Sequence, residues 1–447
     1  MSACPPLLVA EEAILDILTI TIICAGLSLV LILIGIPIAY VLGCCTVIGI
    51  LLGLGGAPLI KLGLTPFSAF HSLNWLPLPL FILMAFIISE TDIGRDIFNT
   101  ANNWLSRVPG GLVVGSIYAE AAMAATMGVS GTTILTVGTV ALPQMDKLGY
   151  NRKFSLGALL TGGVLGPLIP PSIPFIVYAI LSQQSISQLF MAGVIPGILL
   201  ASMLSAYAMV ACVRRPELAP RPAGVSWKER LFSLRKVWPV VALMLGILGG
   251  IYLGVVTATE AAGAGVLIIL FIAVVFYRFR LPNLVRAMSQ AATLTAMVGL
   301  MVIATTVFTF MIGVSGLAQD LSSLITSSGL SPWWVIIIIN LSILVLGCFM
   351  DGLALLMVTM PLFIPLVSAL GFDLVWFGVL VTVNIEIALI TPPVGLNLIL
   401  VSGTFRMPIV ELIRGVAPFL AVLVVFLGIL IAFPQLSLWL PTIMRGG

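Results

Sequence analysis

Charge is scarce in this chain. Its 447 residues hold 19 Lys and Arg and 16 Asp and Glu, 8% of the total, while 61% are hydrophobic. Soluble globular domains carry about 25% charged residues. A water-soluble fold is therefore excluded, and with it catalysis on large aqueous substrates and binding to nucleic acid. Histidine is almost missing: His71 is the only one, which leaves little scope for histidine-based metal binding or proton transfer. The six cysteines (Cys4, Cys24, Cys44, Cys45, Cys212 and Cys348) are scattered through apolar segments without metal-ligand spacing. They read as packed thiols, with no disulfide, zinc site or organic cofactor expected. The opening stretch MSACPPLLVAEEAILDILTI lacks the basic segment of a cleaved signal peptide, so the first apolar run reads as a true span.

What the chain has instead is a series of apolar runs near the twenty residues that a bilayer requires. Spans are expected near 14–34, 36–59, 72–89, 154–183, 189–212, 237–256, 262–277, 288–312, 376–403 and 415–435. The only hydrophilic linker is the segment 214–236, with Arg214, Arg215, Arg221, Lys228, Arg230, Arg235 and Lys236. Cations in short loops mark the cytoplasmic side, so this linker is cytoplasmic and able to meet anionic lipid.

An ungapped repeat runs through the chain at a constant offset of 222 residues. Gly94 falls on Gly316, Pro143 on Pro365, Pro170-Pro171 on Pro392-Pro393, Gly193-Val194 on Gly415-Val416 and Pro196 on Pro418. The connector DKLGYNRK of the first copy carries Lys147, Arg152 and Lys153, whereas its counterpart SALGFDLV carries no cation. By the positive-inside rule the two connectors lie on opposite sides of the membrane. The fold class is thus an all-α polytopic membrane protein built as an inverted-topology repeat, the architecture of secondary transporters. Residues 1–213 form the first repeat, 214–236 the linker and 237–447 the second repeat. The segments 110–145 and 333–367 each enter and leave on one side and read as re-entrant hairpins, with tips at MGVSGTT and CFMDGLA; a pair of full spans in each place would keep the same parity. The runs 154–183 and 376–403 are broken helices, because adjacent prolines in LIPPSIPF and LITPPVGLN lack amide donors and clash with the preceding turn.

A broken helix exposes main-chain groups at membrane depth, at several kcal/mol for each unsatisfied group. Such a break implies a use: half-helix N-termini attract anions and unwound carbonyls bind Na⁺. The candidate Na⁺ ligands are Gly128, Ser130, Gly131 and Thr132 facing Pro170, and Met350, Asp351 and Gly352 facing Thr391 and Gly395. The candidate substrate residues are Ser130, Thr132, Pro171, Ser172, Asp351, Pro393 and Asn397. Na⁺ is a hard ion and favours such oxygen ligands. Asp351 suits either a transport role or a structural hydrogen bond. Glu260 reads as a helix cap, Glu120 and Glu386 have no partner legible in the sequence, and Thr305, Thr306 and Thr309 read as interhelical hydrogen bonds.

Three further stretches carry a family resemblance. Ala141 to Gly197 reads ALPQMDKLGYNRKFSLGALLTGGVLGPLIPPSIPFIVYAILSQQSISQLFMAGVIPG; Gly254 to Gly265 reads GVVTATEAAGAG; and CFMDGLALLMVTMPLFIPLVSALGFD is followed by ITPPVGLNLILVSG. With these in place the chain resembles the large membrane subunit of a tripartite ATP-independent periplasmic (TRAP) transporter. The resemblance implies an elevator mechanism, Na⁺ as driving ion and a multi-pass location in the bacterial inner membrane. It also implies a separate small membrane subunit and a periplasmic binding protein that delivers an organic acid anion such as a dicarboxylate or sialic acid. The tips at Ser130 and Asp351 and the breaks at Pro171 and Pro393 would then line the moving domain. With 13 residues ahead of the first span, the small subunit is expected as another chain.

Three rivals are weaker. A self-sufficient Na⁺/carboxylate symporter of the divalent-anion type favours Ser-Asn-Thr at its tips, which here read VSGTT and MDGLA. An intramembrane serine protease is suggested by GVSG at Gly128 to Gly131, but its serine needs a nearby histidine, and His71 is expected in an outer loop. A passive channel needs an open pore rather than paired hairpins.

Overall fold

The computed structural model describes residues 16–55, 58–71, 73–220, 225–327, 329 and 331–444. Cys4 and Arg221 lie outside these residues. Helices account for all the regular structure described. Six of them are long and apolar enough to cross a membrane by themselves. Helices Ile17–Leu33 and Ile38–Leu54, with 17 residues each, reach about 26 Å at 1.5 Å per residue, close to the thickness of the hydrocarbon layer.

The 222-residue offset recurs in the helices themselves. Ser130–Lys147 and Gly352–Ala369 correspond at both ends, and Ile186–Arg214 corresponds to Ile409–Ala432 within a residue at its start. The long helix Leu281–Ser315 has a divided counterpart, Leu59–Phe70 followed by Pro77–Ser89, with a 3-10 turn at Leu73–Trp75 between them. Pro77 and Pro79 explain the division, since neither can donate to a preceding helical turn; the second copy has Gly299 and Met301 there and runs straight through. After this element each half turns onto a shorter helix, Ile93–Leu105 or Leu317–Ser327, the first bent by 71° from its predecessor.

Each half then forms a helical hairpin, Gly111–Met127 with Ser130–Lys147 and Pro332–Gly347 with Gly352–Ala369. Each is followed by a broken helix. The first runs from Arg152 to Leu168, bends by 42° and continues as Ile173–Ser182. The second comprises Leu374–Leu389 and Leu396–Phe405. The breaks therefore fall after 16 or 17 residues, with 10 to follow.

The two broken helices are antiparallel. Arg152, at the start of the first, donates from Nη2 to the Phe405 carbonyl at the end of the second (2.9 Å), and Lys153 meets Glu411 at 3.5 Å. At the opposite ends Tyr178 Oη donates to the Leu374 carbonyl (2.7 Å). The cation-rich end of the bundle also holds the Lys236–Asp96 pair and the amide of Asn151 on the Leu218 carbonyl.

Close packing between halves rests on glycine. A Cβ on Gly157 would collide with the Gly415 carbonyl, and one on Gly415 with that of Lys153. These positions let Arg152–Gly162 lie against Ile409–Ala432 main chain to main chain. Gly157→Leu is expected to destabilise the fold by about 1–3 kcal/mol, the cost of overpacking a close contact, read as a lower unfolding midpoint in detergent. Gly403→Ala, where a Cβ meets nothing within 4 Å, should leave the midpoint unchanged or raise it.

Candidate functional site

The first break begins where Pro167, Pro170 and Pro171 remove donors in succession. Ser172 restarts the helix from an extended conformation (φ −124°, ψ 127°), its Oγ accepting from the Phe175 amide at 3.3 Å. Such a cap meets one of the orphan donors at a helix start. The second break runs through Thr391, Pro392 and Pro393 to Gly395, which has φ 55°, a conformation that glycine adopts without penalty. Both Pro-Pro bonds are cis.

Each hairpin tip seats on the break of its own half. Gly128 closes the first tip with φ +64°, and a Cβ there would stand 2.9 Å from the Pro171 carbonyl oxygen and 3.2 Å from the Ile173 amide. At the second tip the Cys348 carbonyl accepts from the Gly395 amide at 3.0 Å, and the Cys348 thiol reaches the Pro392 carbonyl at 3.5 Å. The expected facing of tips and breaks is therefore present in both halves.

The structure adds a junction between halves. Asn397, one residue into the last segment of the second broken helix, donates from Nδ2 to Ser130 Oγ at the first tip (3.1 Å). The carboxylate of Glu386 lies beside the Ser130 hydroxyl, with its Oε2 buried and without a hydrogen-bond partner. Ser130, Asn397 and Glu386 are 4%, 7% and 3% exposed, so this polar cluster is enclosed. Gly131 and Gly166 let other elements close on it: a Cβ on Gly131 would lie 3.7 Å from Asn397 Oδ1, and one on Gly166 would lie 3.2 Å from Ser130 Cα. Sequence reasoning placed Ser130 and Asn397 in the site but left Glu386 unassigned. The available signal was its position five residues before Thr391, on the helix that the break ends.

The remaining candidates divide. Pro170, Pro171 and Ser172 are buried, Met350 is buried and Gly352 is half-buried, whereas Thr132, Asp351 and Pro393 are exposed. The Asp351 carboxylate accepts from the Ala354 amide at 3.3 Å as the cap of Gly352–Ala369. Thr391 donates back to the Ile387 carbonyl at 2.6 Å, which leaves its lone pairs available. Glu260 caps its helix as expected, in a reciprocal box with Thr257. The threonines of Leu281–Ser315 differ from expectation. Thr306 and Thr309 donate to carbonyls four residues back in their own helix, because a mid-helix hydroxyl finds its i−4 carbonyl nearer than a neighbouring helix. Buried Thr305 Oγ1 has no hydrogen-bond partner.

A second buried polar contact was not legible. Asn384 Nδ2 donates to the Asn340 carbonyl at 2.5 Å and reaches Asn340 Oδ1 at 3.3 Å, tying the second broken helix to its hairpin. In the first half the 222-residue equivalent of Asn384 is Gly162, and a Cβ there would collide with the Glu120 carboxylate. Among the described residues no three His, Cys, Asp or Glu side chains gather as a metal centre. What the junction offers a cation is hydroxyl, amide and main-chain oxygen with the Glu386 carboxylate, a donor set for a hard ion.

Residues 25–436 match the family model of the tripartite ATP-independent periplasmic transporter, DctM component. The chain belongs to this family. It is 35% identical over 400 residues to the C4-dicarboxylate TRAP transporter large permease protein DctM of Pseudomonas aeruginosa, covering 87% of this chain and 93% of that protein. It is 33% identical over 380 residues to the sialic acid large permease SiaM of Vibrio cholerae, with 83% and 87% covered. The ectoine large permease TeaC of Halomonas elongata is 30% identical over 413 residues, with 92% and 96% covered. Among solved structures, the YdaH transporter of Alcanivorax borkumensis superimposes with a TM-score of 0.64 at 15% identity, over 94% of this chain and 98% of that one, a likeness of fold alone. The chain is thus a multi-pass membrane permease of the TRAP family, and membership weighs against the protease and the self-sufficient symporter.

The interrepeat junction has a measurable signature. In a double-mutant cycle, Ser130→Ala and Asn397→Ala are expected to be coupled by about 0.6 kcal/mol, the mean for hydrogen bonds between membrane helices, in unfolding measured by denaturant titration. Additive effects would mean that the two side chains do not act as a pair.

Proposed function

We propose that this permease is the transport subunit of a Na⁺-driven importer of an organic acid anion in the bacterial inner membrane. A periplasmic binding protein delivers the anion and a small membrane subunit completes the complex. The substrates in the names of these three relatives, C4-dicarboxylates, sialic acid and ectoine, share a carboxylate on a small polar frame, and that is the substrate class assigned here. The small subunit is proposed as a partner of this chain; the relatives also include an isethionate permease named DctMQ, of which this chain covers 65%.

The observation that carries the reading is the Asn397–Ser130 hydrogen bond between the halves with the buried, unpartnered Oε2 of Glu386 beside it. It brings a hydroxyl of one hairpin tip next to a carboxylate of the opposite broken helix, so a cation bound there would hold both halves in one arrangement. The proposed Na⁺ ligands are main-chain and side-chain oxygens of Gly128, Ser130, Gly131, Thr132 and Pro170 in the first half. In the second half they are those of Met350, Asp351, Gly352, Thr391 and Gly395. The anion would approach the half-helix starts at Ser172 and Asn397, whose amides point outward as at any helix N-terminus. The division into repeats 1–213 and 237–447 joined by 214–236 is part of the same proposal, with the hairpins and broken helices moving as an elevator against the remaining helices.

Uptake of labelled organic acids into proteoliposomes containing the permease and its small partner tests this. Uptake should require both a Na⁺ gradient and the binding protein. Ser130→Ala and Glu386→Gln should each raise the Na⁺ concentration for half-maximal uptake by about tenfold, equivalent to about 1.4 kcal/mol of lost cation binding. Equal Na⁺ activation of variants and parent would remove Ser130 and Glu386 from the ion site, and uptake without a Na⁺ gradient would remove the coupling itself.

A further inference from the structure

Far from the breaks, the cation-rich end of the bundle holds a polar cavity of ≈ 530 Å³. Three elements build it: the start of Ile93–Leu105 with Asp92, the stretch 235–239 of Trp227–Tyr252, and the end of Ala258–Tyr277 with Arg278. Its lining includes Arg95, Arg235, Lys236 and Arg278 against Asp92 and Asp96, four cations for two carboxylates. The two acids are already engaged. Asp92 meets Arg95 at 3.5 Å, while Asp96 meets Lys236 at 3.5 Å and accepts from Tyr277 Oη at 3.3 Å. Among the described residues neither Arg235 nor Arg278 has an ion pair, and both are exposed. The cavity therefore has two uncompensated guanidinium groups.

The floor of this cavity continues into a groove of ≈ 460 Å³ between Trp227–Tyr252 and Ala258–Tyr277. Pro239 and Phe276 belong to both. The groove is apolar throughout, lined by residues such as Trp238, Leu243, Ile268 and Phe271, and floored where Gly246 and Gly265 withhold side chains. A charged mouth at the membrane surface opening into an apolar slot along two spans has the polarity of one molecule: a phosphate ester on a glycerol with fatty acyl tails.

We infer that this cavity and groove form a binding site for an anionic glycerophospholipid, its phosphate between Arg235 and Arg278 and one acyl chain along the groove past Gly246. The planar guanidinium forks suit phosphate oxygens bidentately, and basic residues at a membrane surface select anionic lipid. A free phosphate would satisfy the cations but leave the groove unused. The lipid would also join Ile93–Leu105 to the pair of helices that follows the central linker, adding to the Thr100–Ser233 and Trp104–Arg230 hydrogen bonds that tie the first two of these three elements.

The test uses the permease reconstituted in nanodiscs of equimolar phosphatidylcholine and phosphatidylglycerol, released and weighed by native mass spectrometry. The parent should retain phosphatidylglycerol in preference to phosphatidylcholine. Arg235→Gln with Arg278→Gln should lower that retention by about 30-fold, as expected for two cation–lipid contacts, and Arg107→Gln, at the same end but outside the cavity, should not. Gly246→Leu fills the groove at a position where a Cβ meets nothing within 4 Å, so it should release the lipid while leaving the fold intact. Equal retention of both lipids, or an equal loss on Arg107→Gln, would overturn the site in favour of general surface charge. Displacement by soluble glycerol phosphate would show that the cavity takes phosphate without tails. Retention that persists in Gly246→Leu, or is abolished by a protein partner seated in the groove, would overturn the acyl-chain assignment.

Discussion

Everything at the centre of this permease depends on how unwound main chain is satisfied inside a membrane. Hydrocarbon offers no hydrogen bonds, and irregular backbone survives there only where protein or water takes its place. The two breaks meet that demand differently. At the first, Pro170 and Pro171 have no amide to satisfy, Ser172 Oγ takes the Phe175 amide, and the tip at Gly128 packs against the Pro171 carbonyl. At the second, the Gly395 amide is given to the Cys348 carbonyl of the facing tip. The hairpins are therefore not decoration around the breaks. They are the partners without which broken helices would be too costly to keep.

The frame is symmetric, but the chemistry on it is not. At the 222-residue offset, Ser130 corresponds to Gly352, Asp351 to Val129, Asn397 to Phe175 and Glu386 to Val164. The backbone is thus repeated while the polar side chains are dealt to one copy or the other, and the hydroxyl of one half accepts from the side-chain amide of the other, with the Glu386 carboxylate beside it. Exposure follows the same asymmetry: Pro170 and Pro171 are buried, whereas Pro392 and Pro393 are open.

Much of this was legible in one sequence because the signals are local. Pro-Pro, a glycine at each tip and long apolar runs report on backbone that cannot do otherwise, and the structure has helices at every expected span. The short helices Leu59–Phe70 and Leu317–Ser327 escaped because they are too short to read as spans and lie in segments that read as loops. The polar junction escaped for a different reason. Ser130 and Asn397 are 267 residues apart, and the Asn384–Asn340 contact spans 44; a single sequence gives no register for such pairs. Thr306 and Thr309 show the converse error, since a polar group in a span finds its own helix before its neighbour's.

Sidedness can be argued twice from independent physics. Counting cations in loops depends on how charge is handled during insertion, whereas Arg152 on the Phe405 carbonyl and Lys153 beside Glu411 are matters of folded geometry. Exposed pairs of this kind contribute about 0–1 kcal/mol each, so they do little to hold the fold. Their value lies in what they locate. The start of one broken helix and the end of its 222-residue equivalent share a face, which follows only if the two copies run in opposite senses. Inverted orientation, inferred from a handful of charges, is thus reached again through contacts that owe nothing to the insertion rule.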